Sequence, residues 1–513
     1  MPDLSTIEKP NSRFLDRAGL GGFPWFTALA LYTISYGWFW NIRNSYWSDD
    51  WWAFYEPGYL KIWRDLGMAP WFEFYKWLYE LIGPGFMRLI TFVVFFLSAV
   101  CFFGISKKIP YLKEQHQKFA TLLFLLLPFE SARGALMTFH YSVAYFWFFL
   151  AWYLIITSKL VQIKVLAAFL FFISFQMHSL PVFFALPILH LFSLEKIRDW
   201  RLLIVWMQRN LFLIILPPLY WTLRWLFWNT TMSGYHDPSL PQLLLLSKIL
   251  VVPSLIVVLI LALARFQFAS ARGNLYLAAI SLSAIFLGLT PYIIFGAFHG
   301  PVALRQGIGL TAGYWVYFVG RSSWWSRMLF LQPLGAALLI CCFLNFIPRK
   351  LKNFEQSLRI LIVSICVVLN LGFGLEYLVD YAKQREIISE FQSVGHKTAL
   401  TDYEFIDKTI YLNVRGRDYS NEWRYLIDIA YGSKIAGNVT SSTQCRSSGD
   451  ARLVVIDGEA SYWNAFQSWF KRGNFGFSVE VLDGPTPCTP DLVENRGRQN
   501  QIPFVFYFID AEK

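Results

Sequence analysis

The chain has 513 residues, of which 56% are hydrophobic, 19% aromatic and only 15% charged, and its mean hydropathy is +0.41. These values, with repeated apolar runs of about 18 or more residues, indicate a polytopic membrane protein and exclude an ordinary soluble domain. The net charge of +11 does not indicate nucleic-acid binding, because most Lys and Arg lie in short loops between apolar runs and act as topology determinants. We therefore expect no nucleic-acid partner.

About eleven transmembrane helices are predicted. A polar stretch with Lys9, Arg13 and Arg17 precedes the first apolar run without a small-residue cleavage site, which favours a retained helix over a signal peptide. The spans are predicted at about 21–41, 86–105, 119–129, 141–158, 165–177, a sixth ending at Glu195, 202–228, 243–264, 275–297, 328–347 and 358–378. Every predicted inner loop is basic, which favours a cytoplasmic N-terminus. If the fifth and sixth spans are a single span, the predicted membrane orientation of every later span and loop is reversed.

Residues 1–379 are predicted to form the transmembrane domain, with a long outer loop at 42–85. Within that loop, Trp51–Leu66 repeats aromatic and aliphatic residues at near-helical spacing, which predicts an amphipathic helix lying in the interface. From 380 to 513 the composition changes to short β-type runs separated by turns, which predicts a small α/β domain. The runs are 409–412, 452–456, 477–481 and 504–508. An odd number of spans places that domain outside the cytoplasm.

Two cysteines, Cys445 and Cys488, stand in this polar C-terminal region. A disulfide between them is permitted in an extracytoplasmic compartment and is one of two open alternatives, the other being free thiols. The other four cysteines lie within hydrophobic runs and are expected to face lipid or the protein core. No Cys/His spacing typical of a metal site is present.

An acidic pair, Asp49-Asp50, follows the first span and is surrounded by aromatic residues that include Trp47, Trp51 and Trp52. Tryptophan prefers the headgroup level of a bilayer, so these rings are expected to hold the pair at the membrane boundary. One interpretation is a helix N-cap with a solvated neighbour. The other is an active site that faces outward, with the remaining spans forming a cavity around it.

The other conspicuous polar residues near span ends share one predicted side of the membrane. They all fall on the outer side: Glu130, Arg133, His140, His178, His236, His299, Arg305, Arg321 and Arg327. This common sidedness favours the active-site interpretation.

The first part of the chain resembles the GT-C glycosyltransferases, polytopic enzymes that take a sugar from a polyprenyl-linked donor. The resemblance begins with the basic N-terminus, the first span, and the acidic pair Asp49-Asp50 opening a long outer loop with an interfacial helix. Leu127-Pro128-Phe129-Glu130 followed by Arg133 is similar to a proline-and-glutamate turn at the second outer loop of several branches. Ser326–Pro333 resembles the start of a late span, although Met328 replaces the usual aromatic residue.

The resemblance implies an inverting transferase in which Asp49 or Asp50 is the catalytic base. A carboxylate within hydrogen-bond reach can take the proton of an acceptor hydroxyl, and partial desolvation would raise its basicity. The leaving lipid phosphate needs a fixed cation, and arginine binds phosphate oxygens bidentately. Arg327 is the first candidate for this role, followed by Arg321 and then Arg305; each is otherwise an interfacial arginine.

Further substrate contacts are expected from Glu130, Arg133, His140, His178, His299, Trp324 and Trp325. Glu130 could orient the acceptor or form a salt bridge to Arg133 at a span end, and the histidines could assist proton transfer or be satisfied boundary residues. No cofactor is required by the pattern. Mg²⁺ or Mn²⁺ is compatible with Asp49, Asp50 and Glu130, since hard cations prefer oxygen ligands.

Two other functions compete with this one. A lipid-linked glycan polymerase or ligase would depend on Arg321, Arg327 and His299 instead of the carboxylates. A transporter or flippase for lipid-linked sugars would place its polar site near the midplane, often between repeated halves, and no halves are visible.

We expect a multi-pass protein of a bacterial inner membrane, with its active site and C-terminal domain extracytoplasmic. Its expected partners are a polyprenyl-phosphate sugar donor, a glycan or lipid-linked acceptor, and membrane lipids.

Overall fold

The structure is a computed structural model of the full chain. It describes residues 22–40, 50, 69–195, 200–227, 271–294, 329–398, 409–412, 426, 429, 438–441, 452–457 and 478–481. These residues belong to two compact units: 22–40 and 69–376 lie in the first, and Asp50 with the described residues from Tyr377 onward lie in the second. The described part is mostly helical.

The first unit is a bundle of helices that match most of the predicted spans. The helices are α1 (Trp25–Tyr36), α2 (Ala69–Ser106), α3 (Glu114–Leu126), α4 (Phe139–Thr157), α5 (Val161–Ser174), α6 (Leu180–Phe183), α7 (Ala185–Leu194), α8 (Trp200–Arg209), α9 (Leu211–Ile214), α10 (Leu216–Phe227), α11 (Ala271–Ile294), α12 (Gln332–Leu344) and α13 (Lys352–Thr398). The predicted span at 243–264 and the predicted interfacial helix at 51–66 lie outside the described residues.

Four of these helical segments are long and apolar enough to cross a membrane: Trp71–Ser106, Leu136–Thr157, Gly273–Pro291 and Lys352–Leu375. Shorter apolar helices accompany them at Val161–Ser174, Leu180–Leu194, Leu211–Arg224 and Gln332–Leu344. The chain therefore has the character of a membrane protein. The total of eleven spans remains a prediction.

Helix α2 begins at Ala69, within the predicted outer loop 42–85. The helix changes direction at Gly83, whose backbone angles (φ 75°, ψ 166°) are not helical, and continues at Pro84. Proline is tolerated in the first turn of a helix because its missing N–H would have no partner there. Gly83-Pro84 is thus a kink between two helical segments and not the start of the helix.

The predicted span 202–228 is also interrupted. It consists of α8, α9 and α10, with breaks at Asn210 and Ile215. Pro217 and Pro218 lie in the first turn of α10 and have no N–H groups to donate to the carbonyl groups four residues earlier, so the helical hydrogen bonds are interrupted there. The apolar run is therefore three short helices and not one.

Contacts between helix ends bring the predicted inner loops to one end of the bundle, which we call the basic end. His190 on α7 accepts a hydrogen bond from Trp152 Nε1 on α4 at 3.1 Å, and its Nε2 is 3.2 Å from the Lys108 carbonyl after α2. His116 at the start of α3 contacts Glu355 near the start of α13 at 3.2 Å. The ends of α2, α4 and α7 and the beginnings of α3 and α13 therefore lie together.

Helices α11 and α12 pack closely and run in opposite directions. Tyr276 near the start of α11 donates to Ser193 Oγ at 2.9 Å, at the basic end, while Gln332 at the start of α12 donates to the Ile285 carbonyl at 3.2 Å. A Cβ atom on Gly335 would meet the Ile285 backbone nitrogen at 2.8 Å. Small residues permit such a close approach of two helix backbones in membrane bundles.

In the second unit, four short strands form a mixed sheet. They are β1 (Thr409–Leu412), β2 (Asn438–Ser441), β3 (Arg452–Asp457) and β4 (Ser478–Val481), in the spatial order β2-β1-β3-β4. Strand β1 pairs in parallel with β2 and β3, and β3 pairs antiparallel with β4. Three of the strands coincide with predicted β-type runs, and β2 does not.

Candidate functional site

The segment between α3 and α4, Leu127–Thr138, is buried along its whole length except for half-buried Phe129. We call it the buried turn. Its backbone is irregular and includes two short 3₁₀ turns, Ser131–Gly134 and Leu136–Thr138. Loops normally run over the surface, and irregular backbone at membrane depth is tolerated only where protein or a cavity surrounds it. The turn is therefore an unusual feature that the surrounding helices must stabilise.

Side chains from three helices satisfy the backbone carbonyl groups in and beside the buried turn. Asn370 Nδ2 on α13 donates to the Leu126 carbonyl at 2.8 Å, and Arg88 Nε on α2 donates to the Gly134 carbonyl at 2.9 Å. Ser142 on α4 donates to the Thr138 carbonyl at 3.0 Å. Buried carbonyl groups cost free energy when they are left without a donor. These donors therefore explain how the chain can hold a loop in its interior.

Tyrosine and threonine hydroxyl groups complete this framework. Tyr36 on α1 donates to Asn370 Oδ1 at 2.8 Å, so that Asn370 links α1, α3 and α13. Thr138 Oγ1 donates within the turn to the Ala135 carbonyl at 2.8 Å. The backbone of the turn is thus fixed from both sides.

The buried turn carries an ion pair, Glu130–Arg133, with side chains that are 1% and 2% exposed. Arg133 Nε lies 3.5 Å from Glu130 Oε2, which is too long for a good hydrogen bond. The guanidinium carbon lies 3.8 Å from the centre of the Phe95 ring and 4.5 Å from that of Tyr36. Within the described part of the chain, neither carboxylate oxygen of Glu130 and neither Nε nor Nη1 of Arg133 has a hydrogen-bond partner.

Burial governs the electrostatics of this pair. A buried carboxylate normally collects several hydrogen bonds, which favour its ionised form. Because these bonds are missing, only the attraction between the two charges and the rings around the guanidinium hold the pair together.

Arg133 reaches deep into the bundle. Phe95, on which its guanidinium lies, is 12 residues before Lys107 at the basic end. At 1.5 Å per residue this is about 18 Å, or slightly more than half of an apolar core about 30 Å thick. The guanidinium therefore lies against α2 about 18 Å from the basic end, measured along the helix. The outer side of the membrane remains a prediction for this residue.

A second group contains both of the described histidines that were predicted to contact substrate. The His140 ring lies 6.0 Å from that of Tyr75, and the Tyr75 hydroxyl donates to Gln176 Oε1 at 2.9 Å. His178, two residues further along the chain, lies 6.1 Å from the ring of Trp221. These contacts connect α2, α4, the end of α5 and α10.

The acidic pair is described only at Asp50, which is 0% exposed and belongs to the second unit. Its side chain is therefore out of water, whereas the N-cap interpretation allowed a solvated neighbour. The remaining predicted site residues lie outside the described residues: Asp49, His299, Arg305, Arg321, Trp324, Trp325, Arg327, Cys445 and Cys488. The convergence of Asp49 and Asp50 with Arg327, and the disulfide, remain predictions.

Among the residues that the structure describes, no group of three or more His, Cys, Asp or Glu side chains could hold a metal ion. Glu130 has Arg133 beside it, and a guanidinium at that distance opposes a second cation by charge repulsion. The metal site of Asp49, Asp50 and Glu130 remains a prediction that would require Arg133 to move.

Four residues of the site were not found from the sequence: Tyr36, Arg88, Phe95 and Asn370. Arg88 gave a detectable signal, because it is the sole charged residue in the predicted span 86–105, and an ionisable residue within a span indicates function by default. Asn370 is likewise the one amide in the span 358–378. Tyr36 and Phe95 gave no such signal in the sequence, since aromatic residues are abundant throughout the chain.

Comparison of the chain with protein-family models, with curated proteins and with solved structures found no match.

Proposed function

We propose that the chain is a membrane glycosyltransferase that moves a sugar from a polyprenyl-phosphate donor to an acceptor on the extracytoplasmic face. The observation that supports this function best is the buried turn with its Glu130–Arg133 pair, set inside a bundle of apolar helices. Ionisable groups inside a membrane protein are expensive, so their presence favours a functional role over a structural one.

The catalytic roles rest on the sequence. Asp49 or Asp50 is the general base that takes the proton of the acceptor hydroxyl, and Arg327, assisted by Arg321 and Arg305, binds the lipid phosphate. The burial of Asp50 supports a carboxylate that is enclosed by protein and not a solvated loop residue. His299, Trp324 and Trp325 complete the substrate contacts.

The proposed architecture has eleven spans with an α/β domain on the extracytoplasmic side. The mixed sheet supports this domain, because parallel strands require crossover connections, and 25 residues separate β1 from β2 (413 to 437). The convergence of the basic loops on one end of the bundle supports a cytoplasmic location for that end.

A transfer assay on the purified chain in detergent tests the function. The substrates are a panel of polyprenyl-phosphate hexoses with membrane glycan extract as acceptor, and the released polyprenyl phosphate is measured. We expect Asp49→Asn or Asp50→Asn to lower the rate by about 10²–10⁴, the usual contribution of a general base. Glu114→Gln, which removes an exposed carboxylate at the basic end, is the matched control and should be fully active.

Full activity in both single variants and in the double variant would remove the carboxylates from the mechanism. If Arg321→Lys and Arg327→Lys then abolished the reaction, a glycan polymerase or ligase would be the better function. Absence of transfer with every donor would refute the transferase itself.

One observation favours a transporter of lipid-linked sugars. The Arg133 guanidinium lies beside Phe95, about 18 Å along α2 from the basic end, which would be near mid-depth if that end marks the edge of the apolar core. Transporters commonly place their binding site at that depth. Reconstituted vesicles separate the two functions, since a transporter moves the lipid-linked sugar between leaflets without releasing polyprenyl phosphate. A transferase releases it in detergent, where no second compartment exists.

A further inference from the structure

The unpaired polar atoms of Glu130 and Arg133 are complementary in kind. The carboxylate presents two oxygen atoms that accept hydrogen bonds, and the guanidinium presents Nε and Nη1, which donate them. Both sets are fully buried and lie 3.5 Å apart at their nearest atoms. Unsatisfied buried groups of this kind cost about 1–3 kcal/mol each, more when charged, so a chain that keeps them has a use for them.

The rings around the pair limit what could bind there. Tyr32 on α1 and Tyr145 on α4 are buried, and Phe95 and Tyr36 lie against the guanidinium. Tyr32 and Tyr36 use their hydroxyl groups elsewhere, on the Phe92 carbonyl and on Asn370. The Tyr32 ring stacks on Phe92, and one face of the Tyr36 ring lies against the guanidinium. A sugar that took the place of the guanidinium on Tyr36 would meet an apolar ring face, and such faces pack against the C–H groups of a sugar ring.

The charges favour a neutral ligand over an ionic one. A phosphate bound to Arg133 would lie beside the Glu130 carboxylate, and a divalent cation bound to Glu130 would lie beside the guanidinium. Like charges at about 4 Å cost several kcal/mol in a poorly solvated site. Arg88, the nearest further cation of the buried turn, donates to the Gly134 carbonyl. A hydroxyl group faces no such penalty, because it can donate to Glu130 and accept from Arg133 at once.

We propose that Glu130 and Arg133 bind the hydroxyl groups of the sugar, and that the lipid phosphate binds elsewhere. The inference rests on the proposed sugar-transferase function for the identity of the ligand. It makes these two side chains positioning groups for the sugar ring, distinct from the carboxylate that takes the proton. Because both are almost fully enclosed, the sugar must displace Tyr36 from the guanidinium, so binding should alter the environment of α1.

Binding of free sugars to the full chain tests this inference. The protein is purified in a detergent without a sugar headgroup and titrated separately with glucose, galactose, mannose, N-acetylglucosamine and inorganic phosphate, and thermal unfolding is followed by tryptophan fluorescence. At least one neutral sugar should raise the unfolding temperature of the wild type and of the Glu114→Gln control.

The apparent affinity for that sugar should fall tenfold or more in Glu130→Gln and in Arg133→Lys, which retains the charge but loses the planar fork. Each variant is titrated against its own unliganded state, so a lower starting stability does not affect the result. If Glu130→Gln does not fold, Glu130→Asp, which keeps the carboxylate on a shorter side chain, is titrated in its place. The phosphate response should be the same in all of them.

Three results would overturn the inference: no sugar stabilises the wild type, the sugar response is unchanged in both variants, or phosphate binds better in Glu130→Gln and not at all in Arg133→Lys. The last result would identify an anion site. The outcome is separable from that of the transfer assay. If sugar binding depends on the pair but no polyprenyl donor is turned over, the transferase function is refuted and the sugar-binding site stands. If transfer occurs with an unchanged KM in both variants, the sugar-binding site alone is refuted.

Discussion

Asn370 joins three helices around the buried turn, and its contribution to stability can be worked out from two hydrogen bonds. It accepts from the Tyr36 hydroxyl and donates to the Leu126 carbonyl, both at 2.8 Å, and is 0% exposed. Hydrogen bonds between helices in membrane proteins contribute about 0.6 kcal/mol on average and up to about 1.7. Asn370→Ala removes both bonds, so we expect a loss of about 1–3 kcal/mol in the free energy of unfolding.

A double-mutant cycle isolates the bond to Tyr36. Tyr36→Phe removes the hydroxyl group and keeps the ring that lies against Arg133. If the bond is as observed, the two substitutions together should cost less than the sum of their separate effects, with a coupling of about 0.6–1.7 kcal/mol. Reversible unfolding in mixed micelles of a mild detergent and dodecyl sulfate, followed by tryptophan fluorescence, measures each free energy.

The control is Tyr276→Phe, which removes a half-buried hydroxyl group that bonds to Ser193 at the basic end. Combined with Asn370→Ala it should be additive within about 0.5 kcal/mol, as distant sites usually are. Additivity of Tyr36→Phe with Asn370→Ala within that same limit would show that the two side chains do not bond, and the link from α1 to α3 through Asn370 would have to be abandoned.

Two further substitutions test the packing and the backbone of the bundle by the same unfolding measurement. Gly335→Ala should lower stability by about 1–3 kcal/mol, because its Cβ would press on the α11 backbone; unchanged unfolding would refute the close approach. Gly83→Ala should cost about 1–3 kcal/mol through backbone strain at φ 75° alone, since nothing lies within 4 Å of the added atom. Its control Gly37→Ala, at φ −62°, should cost much less, and equal costs would contradict the strain.

The sequence was most informative about the direction of each helix. The positions of lysine and arginine predicted which loops belong together, and the contacts of His190 with Lys108 and of His116 with Glu355 bring such loops to one end. Charge distribution is read residue by residue, so it needs no knowledge of packing. Which side of the membrane that end faces remains a prediction.

The sequence was less informative about helix ends and breaks. The second span was predicted to begin at about residue 86, yet a helix lies on each side of Gly83-Pro84. Local propensity cannot tell a kink from a boundary when packing supplies the difference. The contact of Arg133 with Phe95 was not predicted for a related reason, since it depends on how the buried turn packs against α2.

The distribution of hydrogen bonds in the buried turn argues against a purely structural ion pair. Arg88, Asn370 and Ser142 are all used to satisfy carbonyl groups of the backbone. In contrast, both carboxylate oxygens of Glu130 and the Nε and Nη1 atoms of Arg133 have no hydrogen-bond partner among the described residues. A pair kept for stability would be expected to show the reverse, because charged groups gain most from donors and acceptors in a buried site. A rigid backbone that presents unsatisfied side chains is instead the arrangement that binding requires, since the cost of ordering the site is met before the ligand arrives.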